Sequence, residues 1–532
     1  MRILRSPLFW LVGVALFNLF YFFAEHEGLY HQDDYSYALF AHRALAGDFC
    51  FTSSVFCHRF LVYLPTSLFY ALLGAGPYTT TFWPLLCTLG TYLLLYFTFR
   101  KKNQLALSWA LVLLGLFYFL LNTINYLYPD NILLFFTTAC LLLLYQTQRR
   151  AEAPWHWGLW LALLGFGGFL VKETVVYFLP FCLLLLFADV RHRRNLGFWL
   201  TGIGTIGLLM LGYFGLYHLS GRSAWARFED IEAYSQVLKA GYLQQTSATH
   251  LLKRLTYQPL LFFIGSGMAV PLAFLVGCLL AAPASTVWRL RDQQGFWLWA
   301  LVALLLPIWF GSVSLDHYKP MSLLPRMFHP IFPAFCLSAG LAVEKVGFHR
   351  KSYGWLAAVF FVCAALAQAE MKVFYLPFAV VFGLAWAVPR LRETVGKVAL
   401  PLVAAVLLIR PSYFILKPSV SNYFAQKKLM EEHLPTDAGP LLLLSDRITA
   451  DHLDFFYGFE VPPQVSFSVV TDTAYRQLHQ VHQTYLIINN GLLTHPEIPG
   501  LPREKDLLRP FPAATLVAQE GKVKLYLLPK NP

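Results

Sequence analysis

The sequence predicts an all-α polytopic membrane protein, with about 13 transmembrane helices followed by a small soluble α/β domain. The chain has 532 residues, of which 57% are hydrophobic and only 13% are charged, whereas soluble proteins carry about a quarter charged residues. Apolar runs that are long enough to cross a bilayer, about 20 residues each, recur up to residue 416 and then stop. These observations exclude an ordinary soluble enzyme, a disordered protein and a fibrous protein.

The transmembrane spans are placed on the apolar runs of the sequence. The first run has no small-residue cleavage site before Glu25, so we expect it to remain as a signal-anchor helix. The predicted spans lie near residues 7–24, 77–99, 105–121, 130–146, 155–171, 173–188, 197–217, 259–281, 296–313, 328–345, 353–369, 373–389 and 398–416.

Clusters of lysine and arginine predict the orientation of these spans. They follow alternate spans and so fall on one side of the membrane, which the positive-inside rule assigns to the cytoplasm. The N-terminus is then cytoplasmic and, because the number of spans is odd, the C-terminus lies outside. Segment 60–74 is short and contains Pro65; since a crossing there would invert every later cluster, we expect an interfacial or re-entrant helix. The net charge of +12 is explained by the basic clusters that orient the spans, so it indicates no nucleic-acid partner.

Three features are expected on the outer side, namely loops 25–76 and 218–258 and the tail 417–532. The tail is richer in charge and proline and contains runs that are typical of strands. These runs are Leu441–Leu444, Tyr485–Ile488, Ala514–Ala518 and Val523–Leu528. We therefore divide the chain into a transmembrane domain, residues 1–416, and an extracytoplasmic α/β domain, residues 417–532.

Two acidic positions lie at the predicted outer boundary of the membrane. Asp33 and Asp34 are adjacent in the first turn of a surface helix that the pattern predicts from Asp33 to Gly47, and Asp130 follows Pro129 in a short outer turn. Each acid could simply cap its helix and face the positive end of the helix dipole. Because ionisable groups near the bilayer are costly, their shared position favours one functional pocket that collects them.

Basic residues occur on the same predicted side. Lys172-Glu173 interrupts two apolar runs, His58-Arg59 begins segment 60–74, and Arg326 precedes the tenth span. Arg326 could bind a phosphate, since its planar fork pairs two oxygens at once. The alternatives are a local ion pair at Lys172-Glu173, snorkelling at His58-Arg59 and lipid-headgroup anchoring at Arg326.

The first outer loop also raises questions of covalent and metal chemistry. Cys50 and Cys57 lie seven residues apart and could form a disulfide outside the cytoplasm. His42, His58 and the nearby acids could bind a divalent metal, but no spacing among them is diagnostic. The sequence therefore leaves metal dependence open.

The order and sidedness of these features resemble the GT-C membrane glycosyltransferases, and most nearly the bacterial glycosyltransferase family 39 and aminoarabinose-transferase-like group. The paired acids are followed by Tyr35 and a helix that ends in Ala-Gly, and the Pro-Asp turn follows the third span. Val171-Lys172-Glu173 and Leu324-Pro325-Arg326 resemble later landmarks of that group. The resemblance covers roughly residues 7–416.

This resemblance implies an inverting enzyme that passes a sugar from a polyprenyl-phosphate carrier to a glycan, lipid or protein acceptor at the outer face. Asp33 or Asp34 would act as the base on the acceptor hydroxyl, and Asp130 would hold the acceptor or position a neighbouring base or metal. Cations would offset the charge of the leaving phosphate. The substrate- and phosphate-binding residues expected from the resemblance are His58, Arg59, Lys172, Glu173, Arg326 and Tyr35, the last of which could stack on a sugar or belong to an aromatic belt.

The chain departs from the family pattern at two places. The acid pair, often Asp-Glu or a spaced pair, is Asp33-Asp34, so the identity of the base stays open. A stretch that often reads Lys-Pro-Pro-Leu is His58-Arg59-Phe60-Leu61, which weakens the assignment of a phosphate to Arg59. The absence of an Asn-x-Ser/Thr sequon from the sequence favours a bacterial inner (plasma) membrane.

Two other functions compete with sugar transfer. A transporter or flippase of a lipid or polyisoprenoid-linked glycan would use the same outer cations and need no base. A non-catalytic scaffold would tolerate the loss of both Asp33 and Asp34. The ionisable residues cluster at the ends of spans rather than deep within them, which favours a surface site over a transport path.

Overall fold

A computed structural model of the protein describes residues 6–29, 32–49, 54–237, 248–282, 290, 292–314, 316, 318–417, 421–435, 439–472, 478–479, 482–494 and 501–529. The helices of the first 416 residues are α1 Pro7–Ala24, α2 Gln32–Leu45, α3 Phe60–Leu73, α4 Pro77–Phe99, α5 Gln104–Gly115, α6 Tyr118–Asn122, α7 Pro129–Gln148, α8 Trp155–Val171, α9 Leu179–Arg191, α10 Leu196–Leu219, α11 Ala226–Val237, α12 Ala248–Leu255, α13 Gln258–Ser266, α14 Ala269–Ala281, α15 Gln293–Phe310, α16 Phe332–Val346, α17 Arg350–Leu366, α18 Lys372–Ala387 and α19 Arg392–Leu416. Single 3-10 segments precede α9 (Glu173–Phe178) and α16 (Pro325–Ile331). The fold is mostly helical, as predicted.

The predicted count of 13 spans is not confirmed. In the described part of the chain, nine helices are long and apolar enough to cross a membrane, or up to eleven if each of two bent helix pairs is one span. The two other predicted spans, 155–171 and 353–369, coincide with α8 and overlap α17, which have 17 residues each. At about 1.5 Å per residue each is about 26 Å long, short of a hydrocarbon core of roughly 30 Å.

Segment 60–74 forms the short helix α3. It contains 14 residues with Pro65 inside the helix, so it is about 21 Å long and too short to cross the core. Its expected interfacial or re-entrant position stays a prediction. The surface helix predicted from Asp33 to Gly47 is present as α2.

The two ends of the helical bundle differ in charge. α7 runs over 20 residues from the turn with Asp130 to the loop with Arg150, a distance of about 30 Å. There Arg194, from the following basic cluster, donates to the carbonyl oxygen of Arg150 at 2.5 Å. α16 likewise leads from the turn with Arg326 to the basic segment that includes Lys345. These basic loops therefore lie at the end of the bundle opposite Asp130 and Arg326.

The C-terminal part of the chain forms a mixed five-stranded sheet in the order β2-β1-β3-β5-β4. Its strands are β1 Leu441–Ser445, β2 Val465–Val469, β3 Gln483–Asn489, β4 Thr515–Glu520 and β5 Val523–Leu528, and its helices are α20 Tyr423–His433, α21 Arg447–Ala450, α22 Asn490–Leu493 and α23 Glu504–Leu508. β1 is parallel to both β2 and β3, whereas β5 is antiparallel to β3 and β4. Alternate leucines of β1 enter two different apolar clusters, as expected for a strand that is covered on both faces.

Four of the five strands match predicted runs, whereas β2 is missing from the prediction. Its sequence Val-Ser-Phe-Ser-Val alternates apolar and polar residues and forms no continuous apolar run, and β2 pairs with β1 along its whole length. The boundary between the predicted domains at residue 416 stays a prediction.

Direct contacts join the sheet region to the first loop of the helical part. Gly28 has a φ of +76°, and a Cβ there would lie 2.2 Å from Cγ of Tyr423, so only glycine allows this approach. The backbone amide of Ser421 donates to Glu27 at 3.2 Å. The first loop is therefore fixed between the helices and the sheet.

Candidate functional site

Five separate segments bring the predicted site residues to the same end of the bundle. Asp33, Asp34 and Tyr35 lie in the first turn of α2, and His58 and Arg59 directly precede α3. Asp130 lies in the first turn of α7, Lys172 and Glu173 connect α8 to the next helix, and Arg326 lies in the 3-10 segment before α16. Hydrogen bonds and ion pairs join most of these side chains, but not all of them.

Lys172 and Asp130 form a buried ion pair at the centre of this end. Nζ of Lys172 donates to Oδ1 of Asp130 at 2.7 Å and approaches Sδ of Met327 at 3.2 Å. The two charged side chains are 7% and 2% exposed. Because an unpaired charge would be very costly at this depth, each side chain needs the other as its partner. The local ion pair expected between Lys172 and Glu173 is not the pair that forms here.

Asn131, next to Asp130, belongs to a second buried polar group. Its Oδ1 accepts hydrogen bonds from Oγ1 of Thr123 at 2.8 Å and from Nδ1 of His329 at 3.0 Å, and its Nδ2 donates to Oγ1 of Thr88 at 3.1 Å. Nε2 of His329 is buried and has no hydrogen-bond partner in the part of the chain that the structure describes. This group ties the starts of α7 and α16 together and thereby fixes Asp130 relative to Arg326.

Arg59 and Glu173 form a second ion pair, 3.0 Å apart. Arg59 also donates to the hydroxyl of Tyr37 at 2.5 Å, and Glu173 accepts from Arg227 at 3.4 Å. Burial would lower the pKa of Arg59, but Glu173 and Tyr37 raise it above its usual value. Arg59 is therefore always charged but already bound on two sides, and this position fits a support for the site better than a free phosphate-binding group.

His58 is fully buried and has a structural hydrogen bond on each ring nitrogen. Nε2 donates to Oδ2 of Asp230 at 2.7 Å, and Nδ1 accepts from the hydroxyl of Tyr217 at 2.6 Å. Burial lowers the pKa of His58 to about 4, so the ring is neutral near pH 7. Arg222 holds Asp230 with two hydrogen bonds of 3.1 Å. His58 thus connects α3 to loop 218–258 and is closed to a substrate phosphate.

Arg326 and Asp33 are the accessible charged pair of the site. Nη2 of Arg326 lies 3.9 Å from Oδ2 of Asp33, and the two side chains are 26% and 34% exposed. The guanidinium lies over the ring of Tyr128, with Cζ 4.4 Å from the ring centroid, in a cation–π arrangement. An ion pair this long and this exposed is weak, so Arg326 and Asp33 are both open to incoming groups.

Asp34 and Tyr35 occupy different surroundings from Asp33. Asp34 is fully buried, and its Oδ1 accepts from the backbone amide of Tyr35 at 3.0 Å. The Tyr35 hydroxyl donates to Asp454 at 2.8 Å, and its ring packs against His452 with centroids 4.7 Å apart. Tyr35 therefore faces the sheet region rather than the cations.

Sequence reasoning missed the contribution of loop 218–258 to the site. Arg227 is 1% exposed, and its guanidinium lies 4.1 Å from the ring centroid of Phe169. The chain around it, Arg222-Ser-Ala-Trp-Ala-Arg227, combines two arginines with an apolar helix start. Two arginines next to apolar residues, directly after the end of a predicted span, were the available signal, since a cation on an apolar face needs a buried partner.

The expectations about cysteine and metal have different outcomes. Cys57 is disulfide-bonded, and Cys50 lies outside the described residues. Within the ranges that the structure describes, no group of three or more His, Cys, Asp or Glu side chains could hold a metal ion. Metal dependence therefore stays open.

Taken as chemistry, this end of the bundle can bind an anion and accept a proton at neighbouring positions. Four cations, Arg59, Lys172, Arg227 and Arg326, are held there by three carboxylates, Asp33, Asp130 and Glu173. Three of the cations are committed to close or buried partners, whereas Arg326 is open. Asp33, the carboxylate beside Arg326, is also open. General-base chemistry next to a leaving anion requires such a carboxylate beside a cation.

Comparison with known proteins supports the resemblance to GT-C enzymes. Residues 58–213 match the family model described as dolichyl-phosphate-mannose-protein mannosyltransferase. No curated protein matches the sequence. Among solved structures, the chain is similar to ArnT from Cupriavidus metallidurans bound to undecaprenyl phosphate, with 15% identity, a TM-score of 0.57 and 97% of each chain covered.

The apo structure of the same enzyme gives a TM-score of 0.56 at 15% identity, covering 97% of this chain and 96% of that one. The likeness extends through the C-terminal sheet as well as the helices, because nearly the whole of each chain is covered. At this identity the solved structures show the fold, and the family match covers only part of the chain. The chain therefore has a multi-pass helical fold like that of ArnT, and its residues 58–213 resemble a family of membrane glycosyltransferases.

Proposed function

We propose that the protein is an inverting glycosyltransferase that moves a sugar from a polyprenyl-phosphate carrier to an acceptor at the outer face of the cell inner (plasma) membrane. The observation that carries this proposal is the open pair of Asp33 and Arg326, 3.9 Å apart, at the same end of the bundle as the buried pair of Lys172 and Asp130. A base and an anion-binding arginine at adjacent positions are what a direct displacement from a lipid phosphate needs. The family match and the fold shared with ArnT support the same reaction class.

Asp33, rather than Asp34, is proposed as the general base. Asp33 is 34% exposed, whereas Asp34 is fully buried, and a base must come within hydrogen-bond distance of the proton that it removes. Asp34 instead shapes the first turn of α2.

The proposed step is a single displacement at the anomeric carbon. Asp33 takes the proton of the acceptor hydroxyl, and the acceptor oxygen forms a bond to the anomeric carbon. The bond from that carbon to the phosphate oxygen breaks, and its electron pair leaves with the polyprenyl phosphate. Because the new bond forms opposite the bond that breaks, the anomeric configuration inverts.

Cations stabilise the charge that develops on the leaving phosphate. Arg326 would contact the phosphate directly, since its fork matches two phosphate oxygens. Lys172 would stabilise the phosphate charge through its positive field without contacting the phosphate, while Asp130 fixes the position of Lys172. Arg59, Glu173 and the loop arginine that contacts Glu173 shape the wall of the site. The solved relative that holds undecaprenyl phosphate supports a polyprenyl-phosphate ligand for this fold.

The charge distribution supports an outer-face site. The basic loops around Arg150 and Arg194 meet at the end of the bundle away from Asp130 and Arg326. The positive-inside rule assigns the basic end to the cytoplasm. The N-terminus is then cytoplasmic, and the proposed domain 417–532, beside the site, is periplasmic.

Complementation of a deletion strain tests this function without knowledge of the sugar. Full-length wild type, Asp33→Asn and the matched control Asp472→Asn, an exposed carboxylate of the sheet region, are expressed at equal levels. Mass spectrometry then measures polyprenyl-phosphate sugars and envelope glycans in each strain. Loss of a general base lowers the rate by about 10²–10⁴-fold, so Asp33→Asn should accumulate the same lipid-linked sugar as the deletion.

The control should behave as wild type in this experiment. A transporter or a scaffold needs no base, so full complementation by Asp33→Asn would contradict the proposed function. The same conclusion follows if the deletion itself changes no polyprenyl-linked sugar.

A further inference from the structure

A cavity lies in the sheet region at the carboxyl ends of β1 and β3. After β1 the chain moves towards one edge of the sheet, where β2 lies. After β3 it moves towards the opposite edge, where β5 and β4 lie. Open α/β sheets bind ligands at the crevice where the direction of the connections switches in this way. The cavity, about 390 Å³ with its open mouth included, is lined by residues that follow both strands, by the start of α20 and by Leu29.

One buried amide in the cavity wall lacks a hydrogen-bond acceptor. Gln426 is 1% exposed, and its Oε1 accepts from Nδ2 of Asn489 at 3.0 Å. Its Nε2 is buried and has no partner in the structure. Since an unsatisfied buried donor is costly, this NH₂ group indicates a ligand with an accepting oxygen.

An imidazole in the same wall lacks a hydrogen-bond donor. Nδ1 of His452 donates to the carbonyl oxygen of Ile448 at 2.8 Å, and burial lowers the pKa of the ring. In this neutral tautomer Nε2 is an acceptor, and it too is buried without a partner among the described residues. The wall thus offers one free donor and one free acceptor.

The rest of the lining is aromatic and carries no formal charge. Tyr423 and Phe456 stack with ring centroids 4.5 Å apart, and Phe455 packs beside them. The lining residues that the structure describes include no Asp, Glu, Lys or Arg, so this part of the wall has no charge to balance a phosphate or a carboxylate. A hydroxyl group both donates and accepts, and a sugar ring combines several hydroxyls with an apolar face that packs on aromatic rings.

We propose that this cavity is a second, non-catalytic site that binds a neutral saccharide unit. It adjoins the proposed transfer site, because Tyr35 packs on His452 in the cavity wall and lies two residues after Asp33. The same tyrosine also donates to Asp454, which holds α2 against the cavity. Saccharide binding here does not depend on the transfer reaction.

A glycan array tests this proposal with the full-length protein in detergent. Fluorescently labelled wild type, Gln426→Leu and His452→Phe are applied to neutral and anionic glycans, with thermal unfolding measured for each variant. Gln519→Leu and His482→Phe are the matched controls. Gln519 is exposed on β4, and His482 makes the same Nδ1 hydrogen bond as His452, to the carbonyl oxygen of Leu478, at the opposite end of β3. Leu492→Trp, which fills the cavity from its partly exposed rim, gives a variant that keeps both polar groups.

Wild type and both controls should bind a set of neutral glycans. Gln426→Leu and His452→Phe should each weaken that binding by about tenfold, the loss of one hydrogen bond in a buried site, and Leu492→Trp should weaken it by occupying the space of the ligand. Asp33→Asn should bind these glycans as wild type does. Absence of neutral-glycan binding, a preference for anionic glycans, or equal loss in the controls would overturn the proposal. These results are independent of complementation by Asp33→Asn, so the failure of this proposal and the failure of the transferase function can be told apart.

Discussion

Replacing Arg326 by glutamine should weaken the binding of undecaprenyl phosphate, the part of the donor that does not depend on the sugar. The substitution removes an open cation of the site but little else. The pair with Asp33 spans 3.9 Å between partly exposed side chains and contributes about 0–1 kcal/mol, and the contact with Tyr128 contributes about as much. A hydrogen bond to a charged group is worth about 1.5–3 kcal/mol, so we expect a dissociation constant about 10- to 100-fold higher.

The assay is a titration of full-length protein in detergent with undecaprenyl phosphate, read by native mass spectrometry. Arg326→Lys, which keeps the charge but loses the fork, should fall between wild type and Arg326→Gln. Arg350→Gln is the matched control, because it makes the same change at an exposed position of the opposite, basic end. Unchanged affinity in Arg326→Gln, or an equal loss in Arg350→Gln, would refute the assignment of the phosphate to Arg326.

Three further predictions concern the surroundings of the site. Lys172→Met should lower the stability by about 3–5 kcal/mol, because it leaves Asp130 as an unpaired buried charge; the double variant Lys172→Met/Asp130→Leu should recover much of the loss in detergent unfolding. Asp34→Asn should lower the apparent unfolding temperature, whereas an exposed carboxylate-to-amide change should not, because Asp34 is fully buried. Burial, assisted by the neighbouring Glu27, raises the pKa of Glu25 to about 8. The unfolded chain loses that proton near pH 4.5, so stability should fall as the pH rises from there to 8, and Glu25→Gln should remove this fall.

The membrane architecture could be predicted from sequence because one property, apolar length, decides most of it. The predicted spans are not confirmed where length alone was marginal. The helix α8 and the helix α17 have 17 residues each, and α5 and α13 bend by 59° and 111° into the helices that follow them. Bends of this kind depend on contacts between distant segments, which apolar periodicity does not report.

The position of the site was predictable from the sequence, but the pairing of its side chains was predictable only in part. The acids and cations do gather at one end, as their places at span ends indicate. Which charge pairs with which is decided by tertiary packing, so Lys172 meets Asp130, 42 residues away, instead of its neighbour Glu173. Tyr35 meets Asp454 across 419 residues. No local pattern contains either pairing.

The most direct test of sugar transfer at Asp33 is native mass spectrometry of the lipid that co-purifies with the full-length protein from its own membranes. If Asp33 is the base, Asp33→Asn should retain a polyprenyl phosphate that still carries a sugar, whereas wild type should release the sugar and hold the bare polyprenyl phosphate. The mass difference would also identify the sugar class. Bulk phospholipid alone in both proteins, or the same sugar-bearing lipid at equal occupancy in both, would contradict the account.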